Sequence, residues 1–179
     1  NHFLLIFLLG SLLAQLKKFK TAKELLIKAI SINYNYADAH NNLGNVLKEL
    51  GEFEKAINCY EKTIEIKPDH FGAYTNLAML VQNLGRTKEA ISYYEKAIEI
   101  NPKNLEAHNN LGNIFNDLGE FQKAINCYEK AIEINPNHIN AIKNVSILFR
   151  TVTLNNITEK NSSSLKKLFL FLFKRNDID

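Results

Sequence analysis

The 179-residue sequence predicts an all-α solenoid of helix-turn-helix repeats, and three observations carry the prediction. Pro68, Pro102 and Pro136 recur at a fixed interval of 34, as do Gly51, Gly85 and Gly119, and Ala56, Ala90 and Ala124. Residues 35–68 match residues 103–136 at 23 of 34 positions and residues 69–102 at 14 of 34. Within a unit, apolar residues recur at helical spacing, first over Ala39, Leu43, Val46, Leu47 and Leu50, then over Phe53, Ala56, Ile57, Tyr60 and Ile64. Neither short helix can bury its apolar stripe alone, so a fixed period of this length requires neighbouring units to stack.

The elements follow in order. Counting back 34 from Gly44 and Ala56 reaches Gly10 and Ala22, so residues 1–34 read as a degenerate first repeat. Its opening run, Phe3 to Leu16, carries no charge. The run is too short to span a bilayer, which takes about 20 apolar residues in a helix. Only Asn1 and His2 stand before it in the given sequence, where a signal peptide would carry a basic stretch, so a buried helix is the expected reading of the run. Repeats then fill residues 35–68, 69–102 and 103–136, each with glycine breaking its first helix and proline stopping its second. Residues 137–155 read as a partial repeat, in which Thr153 stands where the turn glycine is due. Residues 156–179 read as a linker and a capping helix over Leu165 to Phe173, with a strand or a membrane-surface segment as the alternatives.

Leu43-Gly44, Ala56-x3-Tyr60 and Pro68, then Leu77-Ala78, Ala90-x3-Tyr94 and Pro102, then Leu111-Gly112, Ala124-x3-Tyr128 and Pro136 give a pattern that resembles the tetratricopeptide repeat family. The family's frequent early Trp is replaced by His40, Tyr74 and His108. The resemblance implies a right-handed superhelical solenoid, an α-α superhelix, whose first helices line a concave groove.

Composition narrows the function. With 46% hydrophobic and 23% charged residues the chain reads as globular. The net charge of +3 conceals a middle section with 10 basic and 15 acidic residues, so no basic stripe invites nucleic acid. Only two cysteines occur, Cys59 and Cys127, at one repeat position two units apart, which excludes a disulfide scaffold and points to a reducing, cytoplasmic setting. No metal-ligand spacing, phosphate loop or acid/base constellation is present, so no metal, no cofactor and no catalytic residue is expected.

Asparagine is the conspicuous residue, at 24 of 179. The phrase Ala-His-Asn-Asn-Leu-Gly-Asn occurs at Ala39 to Asn45 and again at Ala107 to Asn113. On a helical projection Asn41, Asn42 and Asn45 fall within about 100° of one another, away from the apolar arc. Asn109, Asn110 and Asn113 repeat the arrangement, and Asn42, Asn76, Asn110 and Asn144 share the interval of the prolines and glycines.

By resemblance this row is similar to the asparagine ladder of O-linked N-acetylglucosamine transferase repeats, where carboxamides grip an extended peptide backbone. A carboxamide supplies donor and acceptor together and so matches a peptide N–H and C=O. The competing reading is a solvated polar face; on either reading Asn42→Ala, Asn76→Ala and Asn110→Ala are expected to leave stability unchanged or slightly raised, and only the ladder predicts weaker peptide binding. Residues Glu106 and Asn110 stand where a carboxylate clamp would need basic groups.

The expected function is a non-catalytic module binding extended peptide or protein segments. The alternative is the repeat region of a larger glycosyl-, methyl- or sulfotransferase. Phe7, Leu8 and Ser11 occupy the groove positions of the opening repeat, so apolar exposure and self-association, or a cap of upstream sequence, are expected at that end.

Overall fold

The structure is a computed structural model and describes residues 2–154. The capping helix expected at Leu165 to Phe173 lies outside the described residues. Among these the chain is wholly helical, and it divides into two units, Asn1–Ile100 and Asn101–Asp179.

The first unit holds three hairpins: α1 (His2–Gln15) with α2 (Phe19–Ile32), α3 (Ala37–Glu49) with α4 (Phe53–Ile66), and α5 (Phe71–Asn83) with α6 (Thr87–Ile100). The second holds the hairpin α7 (Leu105–Asp117) with α8 (Phe121–Ile134), followed by α9 (Ile139–Leu154). Within each unit a hairpin docks on the next element, α2 against α3, α4 against α5 and α8 against α9. First helices also meet directly, α1 with α3, α3 with α5 and α7 with α9, whereas α2 and α4, or α4 and α6, have no comparable approach. The first helices therefore form the closer-packed row of the first unit, and the second helices fan outward.

One packing rule recurs within the hairpins. The fully buried Leu26, Tyr60 and Tyr128 of the second helices lie against Gly10, Gly44 and Gly112 of the first. A Cβ at Gly44 would stand 2.6 Å from Tyr60 Cε1, and one at Gly112 would stand 2.6 Å from Tyr128 Cε1. Helix packing this close is possible only because these positions have no side chain.

The turns obey a second rule. Gly51, Gly85 and Gly119 end their helices at φ of 76°, 78° and 73°, the left-handed region that glycine enters without a Cβ penalty. In the first repeat the same register holds Lys17, which adopts φ 58°. In the last, Thr153 holds it, and α9 runs on to Leu154 as a 16-residue helix where the other first helices stop after 13 or 14. A β-branched residue is poorly suited to the turn, and the helix continues.

The N-terminal end differs in part from expectation. Phe7 is buried, not exposed: its ring and that of Phe3 meet Tyr36 edge-on at 4.9 and 5.0 Å between centroids. Tyr36, just ahead of α3, folds back over α1 and covers the aromatic part of this face. Leu8 stays exposed.

The turn geometry yields a pair of expectations. No atom lies within 4 Å of a Cβ built on Gly51, so Gly51→Ala carries only the backbone cost, about 1–2 kcal/mol. Lys17→Gly relieves the same strain and raises stability by up to ~1 kcal/mol, less whatever the added unfolded-state freedom removes. Urea unfolding of both variants, with midpoints moving in opposite directions, checks the assignment.

Candidate peptide-binding face

All eight asparagines singled out in the sequence lie on first helices, but they are not a row of idle carboxamides. Seven are half-buried and Asn109 is buried. Most of their hydrogen bonds reach to a neighbouring first helix or to the partner helix of the hairpin.

In the first unit Asn42 Nδ2 donates to Ser11 Oγ at 2.9 Å, and Ser11 Oγ donates on to the Phe7 carbonyl at 2.9 Å. Asn76 Nδ2 donates to Asn41 Oδ1 at 3.1 Å. In the second unit Asn144 Nδ2 donates to Asn113 Oδ1 at 2.7 Å and to Asn109 Oδ1 at 3.1 Å, while Asn109 Nδ2 donates to Asn110 Oδ1 at 3.2 Å. The recurrent offsets of 31 and 35 mean that a carboxamide on one first helix fastens to the first helix one repeat earlier. Neither a solvated face nor an unengaged ladder describes this arrangement: within each unit the carboxamides stitch successive first helices together.

Asn45 and Asn113 are held from beneath. Tyr60 Oη donates to Asn45 Oδ1, and Tyr128 Oη to Asn113 Oδ1, both at 2.8 Å. Burial pushes both phenols up from their ordinary range, so they stay protonated donors. With its oxygen occupied, each carboxamide turns its NH2 away from the tyrosine.

The middle repeat differs at both positions. There Ala78 replaces the glycine and Met79 the asparagine, and the Tyr94 hydroxyl goes to Gln82 Oε1 at 3.1 Å, about one turn farther along. The sequence marks Tyr60, Tyr94 and Tyr128 as motif positions without assigning them this role. Their spacing from a small residue and an asparagine is the signal that could have found it.

Between α1 and α3 a cavity of about 400 Å³ opens onto this face. Ala14, Phe19 and Val46 supply its apolar lining, Ser11, Asn42 and Asn45 its hydrogen-bonding groups, and Lys17 and Glu49 add one charge of each sign. The size suits a side chain or short segment, and the mixture of apolar wall and fixed polar groups is typical of a ligand site. Among the described residues no group of three His, Cys, Asp or Glu could hold a metal ion. Neither Cys59 nor Cys127 is in a disulfide, and burial pushes the Cys59 thiol up to about 11, which disfavours its thiolate.

The class defined by these features is a helical-hairpin repeat protein that presents a carboxamide-lined face along its first helices. The model of the tetratricopeptide repeat matches residues 37–70, 72–104 and 105–138, and a second model of the same repeat matches residues 10–51. The chain belongs to the tetratricopeptide repeat family.

No curated protein matches the sequence. Among solved structures it is similar to the MamA protein, with a TM-score of 0.77 at 22% identity over 99% of this chain and 95% of that one. It is also similar to YrrB, described as a TPR protein with an unusual peptide-binding site, with a TM-score of 0.69 at 22% identity over 93% of this chain and 84% of that one. Identities this low show a shared fold.

The cross-helix hydrogen bonds reverse the sign expected from the sequence for the effect of these asparagines on stability. Asn144→Ala removes two cross-helix bonds and should cost about 1–2 kcal/mol after the gain in helix propensity, and Asn42→Ala, with one such bond, should cost less than ~1 kcal/mol. Chemical unfolding of the two variants, ranked against wild type, checks the order.

Proposed function

We propose that the chain is a non-catalytic interaction module that binds extended peptide or protein segments along the face of its first helices. The observation that carries this reading is the pair Asn42 and Asn45 at the α1–α3 cavity. Each carboxamide is fixed by one intrachain bond, to Ser11 and from Tyr60, and each keeps hydrogen-bonding capacity beyond it. Asn45 keeps its NH2, and Asn42 keeps an N–H and its oxygen. In the second unit Asn144 has both N–H groups engaged and keeps its oxygen as an acceptor.

Donors and acceptors already ordered by the protein lose little entropy on meeting a ligand. A peptide backbone presents the complementary pair at every residue, so these groups give affinity with little dependence on sequence, while the cavity takes one anchoring side chain. Asn41 and Asn76 in the first unit, and Asn109, Asn110 and Asn113 in the second, extend or brace the carboxamides of their own unit. The likeness in fold to YrrB, whose structure is described by its peptide-binding site, supports the reading.

Two features bear on setting. Two cysteines outside any disulfide fit a reducing compartment, and on that ground we propose a cytoplasmic setting. No helix among the described residues is long and apolar enough to cross a membrane. No contact in the described chain favours the alternative of a transferase's repeat region.

The test is to select binders from a random peptide pool and titrate each by calorimetry. Asn42→Ala and Asn45→Ala should each weaken binding by roughly 0.5–1.5 kcal/mol, about 2- to 10-fold, and similarly for unrelated peptides. Glu65→Gln, on the exposed side of α4, should change nothing. Peptides that bind both asparagine variants as tightly as wild type would overturn the proposal.

A further inference from the structure

The tyrosine-held asparagines do not stand alone. One helical turn beyond each is a carboxylate: Glu49 after Asn45 in α3, and Asp117 after Asn113 in α7. A spacing of four puts carboxamide and carboxylate on one face of the helix, about 6 Å apart along its axis. Both carboxylates are exposed. Their charge also reaches the phenols: burial does most to push Tyr60 and Tyr128 up, and the negative charge of Glu49 adds to it at Tyr60, that of Asp117 at Tyr128. Phenol, carboxamide and carboxylate therefore form one cluster in each unit.

The carboxylate is not explained by a local ion pair. Lys48 Nζ stands 3.6 Å from Glu49, too long for a hydrogen bond, and the register of Lys48 in α7 holds Asn116, so there the carboxylate is kept without the lysine. In α5, Met79 replaces the asparagine and Tyr94 turns to Gln82, and the carboxylate is missing as well, with Asn83 in its register. Across α3, α5 and α7 the asparagine and the carboxylate are present together or absent together. The tyrosine occupies the asparagine's oxygen and leaves its NH2, so the pair offers one neutral donor and one anionic acceptor.

We propose that the segment bound along this face is anchored by a basic residue, whose backbone carbonyl accepts from the NH2 of Asn45 or Asn113 and whose cationic side chain meets Glu49 or Asp117. The inference rests on the peptide-binding reading above and names the chemistry of its anchor. In the first unit the α1–α3 cavity fits that demand. Glu49 shares it with Ala14, Phe19 and Val46, which can cover the aliphatic stem of a lysine or arginine while the charged end stays at the carboxylate. Lys17, the cavity's other charge, does not set the preference. It sits on a flexible stem at an exposed turn, and its register in the later turns holds Gly51, Gly85 and Gly119, which carry no charge.

The experiment titrates the full chain by calorimetry with pools of acetylated, amidated nonapeptides whose flanks are drawn from uncharged residues and whose central residue is arginine, leucine or glutamate. Wild type should bind the arginine pool about 3-fold or more tightly than the leucine pool, and the glutamate pool least. Glu49→Gln/Asp117→Asn should bring the arginine and leucine pools within about 2-fold of each other, with affinity for the leucine pool and helix content by circular dichroism unchanged. Glu49→Lys/Asp117→Lys should turn the preference to the glutamate pool.

A wild type that binds the three pools alike would overturn the inference. So would a preference for the glutamate pool, which would assign the anchor to Lys17, or an arginine preference that survives in the neutral variant. In each of these cases the leucine pool still binds through Asn42 and Asn45 and the wider reading stands, whereas binding of no pool at all would remove both.

Discussion

The structure depends on seating one large side chain of the second helix against one small residue of the first. Leu26 on Gly10, Tyr60 on Gly44 and Tyr128 on Gly112 are the instances within the glycine-bearing hairpins, and all three large side chains are fully buried. Where the pair is tyrosine and glycine, the ring lies against the glycine and its hydroxyl reaches the asparagine that follows it, Asn45 or Asn113. A packing constraint in the hairpin core thus becomes an orientation constraint on the outer face. In the middle repeat, with Ala78 in place of glycine, the hydroxyl is redirected to Gln82 and position 79 is methionine.

The carboxamides proposed to meet a ligand are the ones that join the helices. Bonds from Asn42 to Ser11, from Asn76 to Asn41 and from Asn144 to Asn109 and Asn113 tie adjacent first helices together. They do so on the side where those helices are closest, so the row that a ligand would meet is also the row that sets the spacing of the hairpins. A hydrogen bond of this kind adds only about a kilocalorie per mole net. Repeated at successive interfaces of a stack whose stability is a sum of nearest-neighbour terms, such bonds help fix register.

Much of the fold was legible in the sequence, because a fixed repeat period with apolar side chains at helical spacing leaves few ways to bury them. Even the long α9 follows from Thr153 standing where the turn glycine is due. The asparagine face was legible as a face, since helical phase alone separates Asn41, Asn42 and Asn45 from the apolar arc. Its partners were not, because a bond from one repeat to the next depends on the distance between hairpins, which no local pattern encodes. For the same reason the sequence left Phe7 exposed: Tyr36, which covers it, lies beyond the whole of α2, in the gap before α3. The strained Lys17 was recoverable by counting back one period from Gly51, although nothing in its own neighbourhood marks it.

The central claim is that the buried tyrosine hydroxyl holds the carboxamide of the proposed binding face. It is tested most directly by a double-mutant cycle of Tyr60→Phe and Asn45→Ala, read by chemical unfolding. The account predicts a coupling of about 0.5–1.5 kcal/mol, because each single change already removes the shared hydrogen bond. Strict additivity of the two changes, within about 0.3 kcal/mol, would contradict it.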